Sequence, residues 1–266
     1  MERIPDYKTY QQLKADAKAD GLKTSNLFML PDGLKERIAA NKLLYARTDD
    51  YLLIAEDEGS FYRCYFDLDP DKEINRTVSL DKDAVIELPF SGELKEKQEK
   101  QIRRFRELGF VLERESSEMQ LNVEDLNDLP ETACEFARKG EGNRVRELLV
   151  EAFDPLFAFL PSVEEIEEKI SKGSVFVIRR EGEVIAVLNS TVIKNSAEIS
   201  HLAVDKRYRG CGSGALLVNA FLQHYRSDVR SFRHWVDIHN EPAVRLYERF
   251  GYRFGMRKAN EYTRRK

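Results

Sequence analysis

Apolar and polar residues alternate along several short stretches in the second half of the chain, with the period expected of strands. The stretch VFVIRREGEVIAVLNSTVI, which begins at Val175, predicts a hairpin that turns at Glu181-Gly182. AEISHLAV from Ala197 and FRHWVDIHN from Phe232 predict two more strands. Strands that follow one another through short turns favour antiparallel pairing.

Helical spacing of apolar residues predicts the other elements of this half. One predicted helix carries its apolar residues on one face, namely Val145, Leu148, Leu149, Ala152 and Phe153. Ser162 and Glu165 form a capping-box pattern that predicts a helix over 163–170. A last short helix, EPAVRLYERFGY, has Asn240 placed to cap its start and Gly251 its end. The predicted order is helix, helix, three strands, helix, strand, helix, strand.

The first half shows similar local patterns. YLLIAEDEGSFYRCYFDLD from Tyr51 predicts two strands around a Glu-Gly turn, and AVIELPF predicts another strand. A charged helix follows and is predicted to end at Gly109, a typical C-cap residue. A polar segment with proline and glycine then predicts a linker over 122–142, which would separate an N-terminal α/β domain over 1–121 from a domain over 143–266.

A short internal match links the two halves. FRELGFVLER at Phe105 aligns with YERFGYRFGM at Tyr247, both being helix ends that lead through a glycine into a strand. The match suggests that the halves share one architecture. Such helix-to-strand endings are common, however, so an unrelated N-terminal α+β domain stays an alternative.

Composition narrows the class of protein. The chain has 266 residues, 42% of them hydrophobic and 34% charged, with a formal net charge of −4, which is typical of a globular protein and gives no support for nucleic-acid binding. Cys64, Cys134 and Cys211 are far apart, which argues against disulfides and zinc and fits the cytoplasm. Neither a signal peptide nor a membrane span is expected. The histidines show no H-E-x-x-H pattern, so no metal is expected.

The most informative segment is HLAVDKRYRGCGSGALLVNAF, which begins at His201 and places three alternate glycines between a strand and a helix. Glycines there let backbone N–H groups approach a ligand closely, and the helix start adds unpaired donors. Three basic residues precede the glycines: Lys206, Arg207 and Arg209. The segment therefore predicts a phosphate-binding turn.

Several phosphate ligands are compatible with such a turn. The Walker pattern G-x-x-x-x-G-K-[ST] does not occur, which argues against ATP or GTP hydrolysis. Gly210, Gly212 and Ala215 satisfy G-x-G-x-x-A, so a nicotinamide dinucleotide remains open. The predicted hairpins before the turn are antiparallel and little chain follows it, whereas a doubly wound sheet needs several more strand–helix units.

The same segment resembles the acyl-coenzyme A signature [QR]-x-x-G-x-[GA] of the GNAT N-acetyltransferase superfamily, with Arg209, Gly212 and Gly214 at its fixed places. NEPAVRLYERFGYR resembles the family's later Asn…Ala…Leu-Tyr-Glu…Gly-Phe element. The resemblance covers roughly residues 143–262. It implies an α+β (mixed α/β) fold, in which a mostly antiparallel central sheet with flanking helices splays where two strands part.

The resemblance also implies roles for individual residues. The strand backbone at Leu202, Ala203 and Val204 would bind the pantetheine arm of acetyl-coenzyme A, and Asn240 would contact that arm too. Tyr247 would protonate the departing thiolate. The pyrophosphate would be held by backbone N–H groups of Arg209, Gly210, Cys211, Gly212, Ser213 and Gly214.

The proton-transfer residues have alternatives. Tyr247 shares a helical face with apolar residues and could instead be a core residue, as Phe105 suggests at the matching place in the first half. Glu198 lies where histone-acetylating members of the family carry a general base. His201 is a second candidate base, and simple strand alternation predicts that it points to the opposite face from Glu198. A water relay without a dedicated base also remains open.

These observations together predict an acyltransferase that moves an acetyl group from acetyl-coenzyme A directly to a primary amine of a small molecule or peptide. A first half without Gly-x-Gly would be a degenerate, non-catalytic copy in a tandem arrangement. The alternatives are an acyl-coenzyme A-binding sensor without turnover and a nicotinamide-binding oxidoreductase. The sequence identifies neither the acceptor amine nor the oligomeric state.

Overall fold

The structure, a computed structural model, describes residues 1–27, 29–126, 128–130, 132 and 135–266. The chain divides into two compact units. Unit 1 comprises Met1–Glu115 together with Arg257–Lys266, and unit 2 comprises Ser116–Met256. This division differs from the predicted domains, because the last residues of the chain belong to unit 1. Cys134 lies outside the described residues.

Ten helices and strands precede the polar segment. They are β1 (Glu2–Arg3), α1 (Tyr7–Ala19), β2 (Thr24–Ser25), α2 (Pro31–Ala39), β3 (Leu43–Arg47), β4 (Tyr51–Asp57), β5 (Phe61–Leu68), β6 (Asp83–Ser91), α3 (Glu96–Glu107) and β7 (Val111–Asn122). The two strands predicted from Tyr51 are β4 and β5. The charged helix is α3, and Gly109 after it has φ +86°, as a C-cap glycine requires.

The remaining elements follow the predicted order, with a short strand added at the start. They are β8 (Glu135–Phe136), α4 (Gly142–Ala152), α5 (Val163–Ser171), β9 (Val175–Arg180), β10 (Glu183–Ile193), β11 (Ser196–Val204), α6 (Ser213–Tyr225), β12 (Ser231–Asp237), α7 (Glu241–Arg249) and β13 (Arg253–Arg264). Short 3-10 turns cover Val123–Asp125 and Lys206–Tyr208. The capping box of Ser162 and Glu165 and the cap at Asn240 are present as predicted.

Each unit builds its sheet in the same way. Unit 1 has the strand order β1-β3-β4-β5-β6-β13, and unit 2 has the order β8-β9-β10-β11-β12-β7. In both orders every neighbouring pair is antiparallel except the fourth, which is β5 with β6 and β11 with β12. The predicted α+β fold with a mostly antiparallel sheet and two similar halves is therefore confirmed.

The last strand of each unit comes from the other half of the sequence. In unit 2, β7 pairs with β12 from Ser231↔Asn122 to Asp237↔Ser116. In unit 1, the end of β13 pairs with β6 from Arg257↔Ser91 to Arg264↔Ala84. The internal match at Phe105 and Tyr247 corresponds to the α3–β7 and α7–β13 connections, so the shared ending has a structural basis.

The sheet of unit 2 separates two cores. Residues of α6 and α7 pack on one face with Ala197, Ile199 and Phe232, among others. Residues of α4 and α5 pack on the other face with Val177, Val187 and Ala203. We call these the α6/α7 face and the α4/α5 face. Adjacent strand residues enter different cores because side chains alternate along a strand.

Candidate active site

The central feature of unit 2 is the separation of β11 from β12. Their parallel pairing runs from Ser196↔Ser231 to Ile199↔His234. Both strands continue beyond these residues, β11 to Val204 and β12 to Asp237, but among the described residues no further pairs join them. The sheet therefore opens into a V at this point, as the sequence resemblance predicted, and the facing edge of β11 is left with unused backbone groups.

A β-bulge at Ser200 lies where this opening begins. Against β10, Ile199 pairs with Ser190 whereas His201 pairs with Asn189, so Ser200 is an extra residue in β11. Ala197 and Ile199 before the bulge, and Leu202 and Val204 after it, all pack on the α6/α7 face. The phase of the side-chain alternation thus changes at Ser200.

This bulge corrects one prediction. Ala203 packs on the α4/α5 face, and His201 contacts Phe153, which packs against the same core. Glu198 lies on that face as well, because its neighbours Ala197 and Ile199 both point to the other one. Glu198 and His201 therefore share a face, and the expectation that they oppose each other was wrong. Strict alternation fails here because one residue is inserted.

The backbone of β11 also alternates in direction. The Asp205 N–H donates to the Ile185 carbonyl at 2.9 Å, so Asp205 and every second residue before it bond to β10. The backbone groups of Leu202 and Val204 therefore point away from β10, into the opening. One of these groups is already used, since Arg209 Nε donates to the Val204 carbonyl at 3.2 Å.

The glycine turn connects β11 to α6. Gly210 and Gly212 have φ +80° and +83°, a region that other residues rarely adopt, and a Cβ at either position would meet no atom within 4 Å. Gly212 is the N-cap of α6 and provides no side-chain cap, so the first N–H groups of this helix keep their donor capacity. Gly214 lies close to Leu246 and Leu202, which fixes the helix start against α7 and β11.

Asp205 anchors the turn. Its carboxylate is buried, caps the Arg207 N–H at 2.9 Å and binds the guanidinium groups of Arg144 and Arg207 at 2.9 and 2.7 Å. The hydrogen bonds from Arg207, followed by that from Arg144, hold the pKa of Asp205 far below its usual value. Arg207 was expected to add charge to a phosphate site, but its guanidinium is bound to Asp205 and Glu183 instead.

Tyr247 lies in α7 on the α6/α7 face, with only 4% of its surface exposed. Its ring lies 3.7 Å from that of His234 between centroids, at 32° between planes. His234 occupies the last paired position before β11 and β12 part. Burial raises the pKa of Tyr247 well above its usual value, so the hydroxyl keeps its proton at neutral pH.

His234 itself was missed by the sequence reasoning. It is buried, its Nε2 has no hydrogen-bond partner, and burial lowers its pKa to about 3. A lone histidine in a strand pattern gave no signal, since its position depends on the pairing of β12 with β11.

The remaining predicted residues occupy different surroundings. Asn240 is exposed, and its Oδ1 accepts a hydrogen bond from the Ala243 N–H at 3.3 Å, which is the predicted helix cap. No hydrogen bond of its Nδ2 is seen within the described residues. Glu198 is half-buried and contributes to the electrostatic field at Lys169 of α5. Lys169 donates to the Ser190 carbonyl at 3.1 Å and to Thr191 Oγ1 at 2.7 Å.

His201 is enclosed by the connection between α4 and α5. Its ring meets Phe153 edge-on at 5.3 Å, and the Phe159 carbonyl accepts a hydrogen bond from it. Burial, together with the charges of Lys169 and Arg146, lowers the pKa of His201 to about 4, against the opposing effect of the hydrogen bond to Phe159. His201 is therefore neutral at pH 7.

The corresponding opening in unit 1 is filled by the chain itself. Parallel pairing of β5 with β6 ends at Arg63↔Val85, and β2 then pairs with β5 beyond that point. Asn26, directly after β2, bridges the two strands: its Nδ2 donates to the Cys64 and Glu87 carbonyls at 3.2 Å each, and its Oδ1 accepts from the Phe66 N–H at 2.7 Å. No described helix lies between β5 and β6, so unit 1 has no counterpart of α6.

Leu202 and Val204 turn backbone groups into the opening, whereas the backbone of Ala203, also predicted to bind the cofactor, bonds to β10 instead. Leu202, Val204 and the start of α6 border the opening, with Tyr247 on one side of the sheet and Glu198 with His201 on the other. In the described part of the chain, no cluster of potential metal ligands is present and no helix is long and apolar enough to span a bilayer.

Comparison with known proteins agrees with this arrangement. Residues 142–252 match the Acetyltransferase (GNAT) family. A Bacillus subtilis (strain 168) protein with the provisional name ribosomal protein bS18-alanine N-acetyltransferase is 28% identical over 88 residues. This match covers 33% of the present chain and 58% of that relative, so the chain spans little more than half the length of the curated protein.

Two solved structures are similar over nearly the whole chain. The GCN5-related N-acetyltransferase from Sphaerobacter thermophilus is 14% identical with a TM-score of 0.57, covering 96% of this chain and 90% of its own. The tandem GNAT protein from the clavulanic acid biosynthesis pathway is 12% identical with a TM-score of 0.52, covering 99% and 97%. At such identities the likeness concerns the fold alone. The family match, with which the opened sheet of unit 2 agrees, identifies residues 142–252 as a GNAT acetyltransferase domain.

Proposed function

We propose that unit 2 is an acetyl-coenzyme A-dependent N-acetyltransferase that transfers the acetyl group directly to a primary amine of a small molecule or peptide. The observation that carries this proposal is the opening between β11 and β12, where unused backbone groups of Leu202 and Val204 lie next to the uncapped start of α6. The family match supports the same class of reaction.

The residues around the opening fit the proposed cofactor. A pantetheine arm is an extended chain with amide groups, and the free edge of β11 offers the backbone partners that a further strand would use. The turn from Arg209 to Gly214 leaves room near Gly210 and Gly212 for a pyrophosphate on the dipole of α6. When bound, acetyl-coenzyme A would supply the acetyl thioester, and coenzyme A would leave as the free thiol once the acetyl group is on the amine.

In this proposal, protonation of the departing sulfur and deprotonation of the amine take place on opposite faces of the sheet. Tyr247, on the α6/α7 face, is protonated at neutral pH as any tyrosine is, and burial raises its pKa further, so its hydroxyl has a proton to give to the departing sulfur. The N–H groups at Leu202 or Val204 can donate to the carbonyl oxygen as negative charge develops there. The amine would approach from the α4/α5 face, where it must lose a proton, since a lysine-type ammonium has a pKa of about 10.4.

Glu198 and His201 remain the candidate bases, and the structure changes their relation. Both lie on the α4/α5 face, so the amine can reach either one or a water between them. His201 is neutral at pH 7 and can therefore accept a hydrogen bond from the amine, although its low pKa makes it a weak base.

Unit 1 is proposed to be a non-catalytic copy of the same fold. Its opening is bridged by Asn26, and the described part of the unit has no helix in the place of α6. Phe105 lies at the position that matches Tyr247 and carries no hydroxyl. The spaced cysteines keep the cytoplasm as the proposed compartment.

A thiol-release assay tests the proposal. The full chain is mixed with acetyl-coenzyme A and a panel of amines, and free thiol is followed while calorimetry measures coenzyme A binding. We expect binding and amine-dependent thiol release. Binding without release over the whole panel would favour a sensor, and no binding to well-folded protein would contradict the proposal. A nicotinamide cofactor is disfavoured, because unit 2 has a single parallel strand pair instead of a doubly wound sheet.

A further inference from the structure

The α4/α5 face of unit 2 holds buried polar atoms that have no hydrogen-bond partner in the described chain. Asn189 of β10 is completely buried, yet neither Oδ1 nor Nδ2 has a hydrogen-bond partner. It pairs with Val175 on one side and His201 on the other, and Val175 belongs to the core of the α4/α5 face. A buried amide without partners costs about 1–3 kcal/mol and is rare in proteins, so it points to a ligand.

His201, beside Asn189, presents a second unpaired atom. Its Nδ1 is buried without a hydrogen-bond partner. The hydrogen bond to the Phe159 carbonyl must therefore come from Nε2, which fixes the tautomer with the proton on Nε2. Nδ1 is then a hydrogen-bond acceptor on the residue that pairs with Asn189 across the two strands.

Arg146 of α4 adds a donor and a positive charge. Its Nη1 is buried without a hydrogen-bond partner, and it makes no ion pair within the described chain. The charge of Arg146 acts on His201, whose ring contacts Phe153 directly after α4. Lys169 is also close to His201, but its ammonium bonds to β10 and faces the carboxylates Glu165 and Glu198.

The unpaired atoms form a balanced set. Arg146 Nη1 and Asn189 Nδ2 are donors, whereas Asn189 Oδ1 and His201 Nδ1 are acceptors. A simple cationic amine would satisfy only the acceptors and would bring its charge towards Arg146. A simple anion would satisfy only the donors. An amine that also carries a carboxylate satisfies both, because guanidinium and amide donors bind the carboxylate while the acceptors take N–H groups.

From these two donors and two acceptors we infer that the acceptor substrate is an amine of the amino-acid class, with its carboxylate bound by Arg146 and Asn189. The inference rests on the proposed acetyl transfer and names the substrate class of that site. Asn189 and His201 are cross-strand partners on this face, and Phe153, where the α4–α5 connection begins, contacts the His201 ring. The carboxylate would then hold the amine on the same face as Glu198 and His201.

The first test compares matched acceptors. Acetylation by the full chain is measured with the twenty amino acids and with their carboxamides, and binding of the same compounds in the presence of coenzyme A is measured by thermal shift. At least one amino acid is expected to react at least tenfold faster, as kcat/KM, than its carboxamide. Equal or better use of carboxamides would overturn the inference while leaving acetyl transfer intact. Thermal protection by an amino acid without turnover would keep the inference and contradict the enzyme.

Two variants locate the effect. Arg146→Gln is expected to raise KM for the preferred amino acid at least tenfold and to change kcat/KM for its carboxamide less than threefold, with partial recovery in Arg146→Lys. Arg249→Gln, an exposed arginine in α7, is the matched control and should change neither. An equal loss with both acceptors in Arg146→Gln would show a structural role only.

Asn189→Leu separates ligand binding from folding. Replacing an unpaired buried amide by an apolar group of similar size should leave the melting temperature equal or higher, while the preference for the carboxylate falls. A lower melting temperature with an unchanged preference would assign Asn189 to the fold and contradict its part in the site.

Discussion

The position of each candidate functional side chain in unit 2 is set by the helix or strand to which it belongs. Tyr247 shows this: its ring belongs to the core around His234 and Tyr252, and only its hydroxyl can take part in proton transfer. The sequence alternative of a core tyrosine and that of a general acid are therefore compatible, since the ring can pack while the hydroxyl acts.

Removal of this hydroxyl is the most direct test at the residue scale. Tyr247→Phe should lower kcat for acetyl transfer about 100-fold, because general acid catalysis typically contributes a factor of this size. Coenzyme A affinity, measured by calorimetry, should change little. Tyr252→Phe is the matched control, since it removes a buried hydroxyl without a partner from the same core. Full activity in Tyr247→Phe would refute the acid role.

His201 makes a prediction about acid stability. Its pKa is about 4 in the fold and about 6.5 in the unfolded chain, so the unfolded chain binds more protons between these values. The free energy of unfolding should therefore fall as the pH drops from about 6.5 to 4, by roughly 3 kcal/mol from this residue. Denaturation of His201→Gln and of the parent at several pH values should show a shallower fall for the variant. Equal slopes would contradict the assignment.

The glycine turn and the start of α6 form one continuous structural element. Gly212 must adopt φ +83° so that α6 starts without a side-chain cap at the mouth of the opening. Asp205 holds the other end of the turn through Arg144 and Arg207. The backbone is thus fixed before any ligand arrives, which limits the entropy lost on binding.

Gly212→Ala should reveal this role. The left-handed conformation costs another residue about 1–2 kcal/mol, so the turn should relax and coenzyme A affinity should fall at least tenfold by calorimetry. Gly173→Ala is the matched control, because Gly173 also has positive φ (+66°) and space for a Cβ but lies in a different turn. The control should lose similar stability and keep its affinity. An equal affinity loss in both would show that only general destabilisation matters.

Some of the structural elements could be predicted from the sequence, and others could not. Hairpins, the capping box and the glycine C-cap were predictable because each depends on neighbouring residues, such as Ser162 with Glu165. The bulge at Ser200 was not, since it is visible only in the register against β10. The grouping of Asn189, Arg146 and His201 could not be predicted either, because the three residues belong to three different elements and share no sequence motif. The backbone turn of the candidate site was therefore predictable, and its acceptor side was not.

For the whole molecule, the two units show the same fold with one opening kept and the other closed. Asn26 uses both ends of its amide to bridge β5 and β6, where unit 2 leaves β11 and β12 apart. The same strand order can thus be kept while the opening is closed, because a short segment around Asn26 is enough to fill it.

The expected stoichiometry follows from this difference. Calorimetry of the full chain should find one coenzyme A per chain. Asn26→Ala should lower the stability of unit 1 by about 1–3 kcal/mol, because the buried Phe66 N–H loses its acceptor, while kcat stays unchanged. Two equivalent binding sites per chain would contradict the proposed division of roles.

The exchanged strands give a prediction about truncation. Deletion of residues 257–266 removes the pairing of β13 with β6, so it should destabilise unit 1 although the cut lies at the other end of the chain. Limited proteolysis with mass spectrometry should then show early cleavage within residues 1–115. Deletion of residues 1–3, which removes the short strand β1, is the control for loss of an end. Unchanged resistance of residues 1–115 would contradict the exchange.

The exchange of strands also affects the order in which the two sheets can be completed during synthesis. Residues 1–115 leave the ribosome first, but their sheet gains its final strand only when residues 257–264 have been made. Unit 2 has all of its strands earlier, because β7 precedes β12 in the chain. Newly made chains should therefore complete the sheet of unit 2 first, reversing the usual order in which domains mature from the N-terminus.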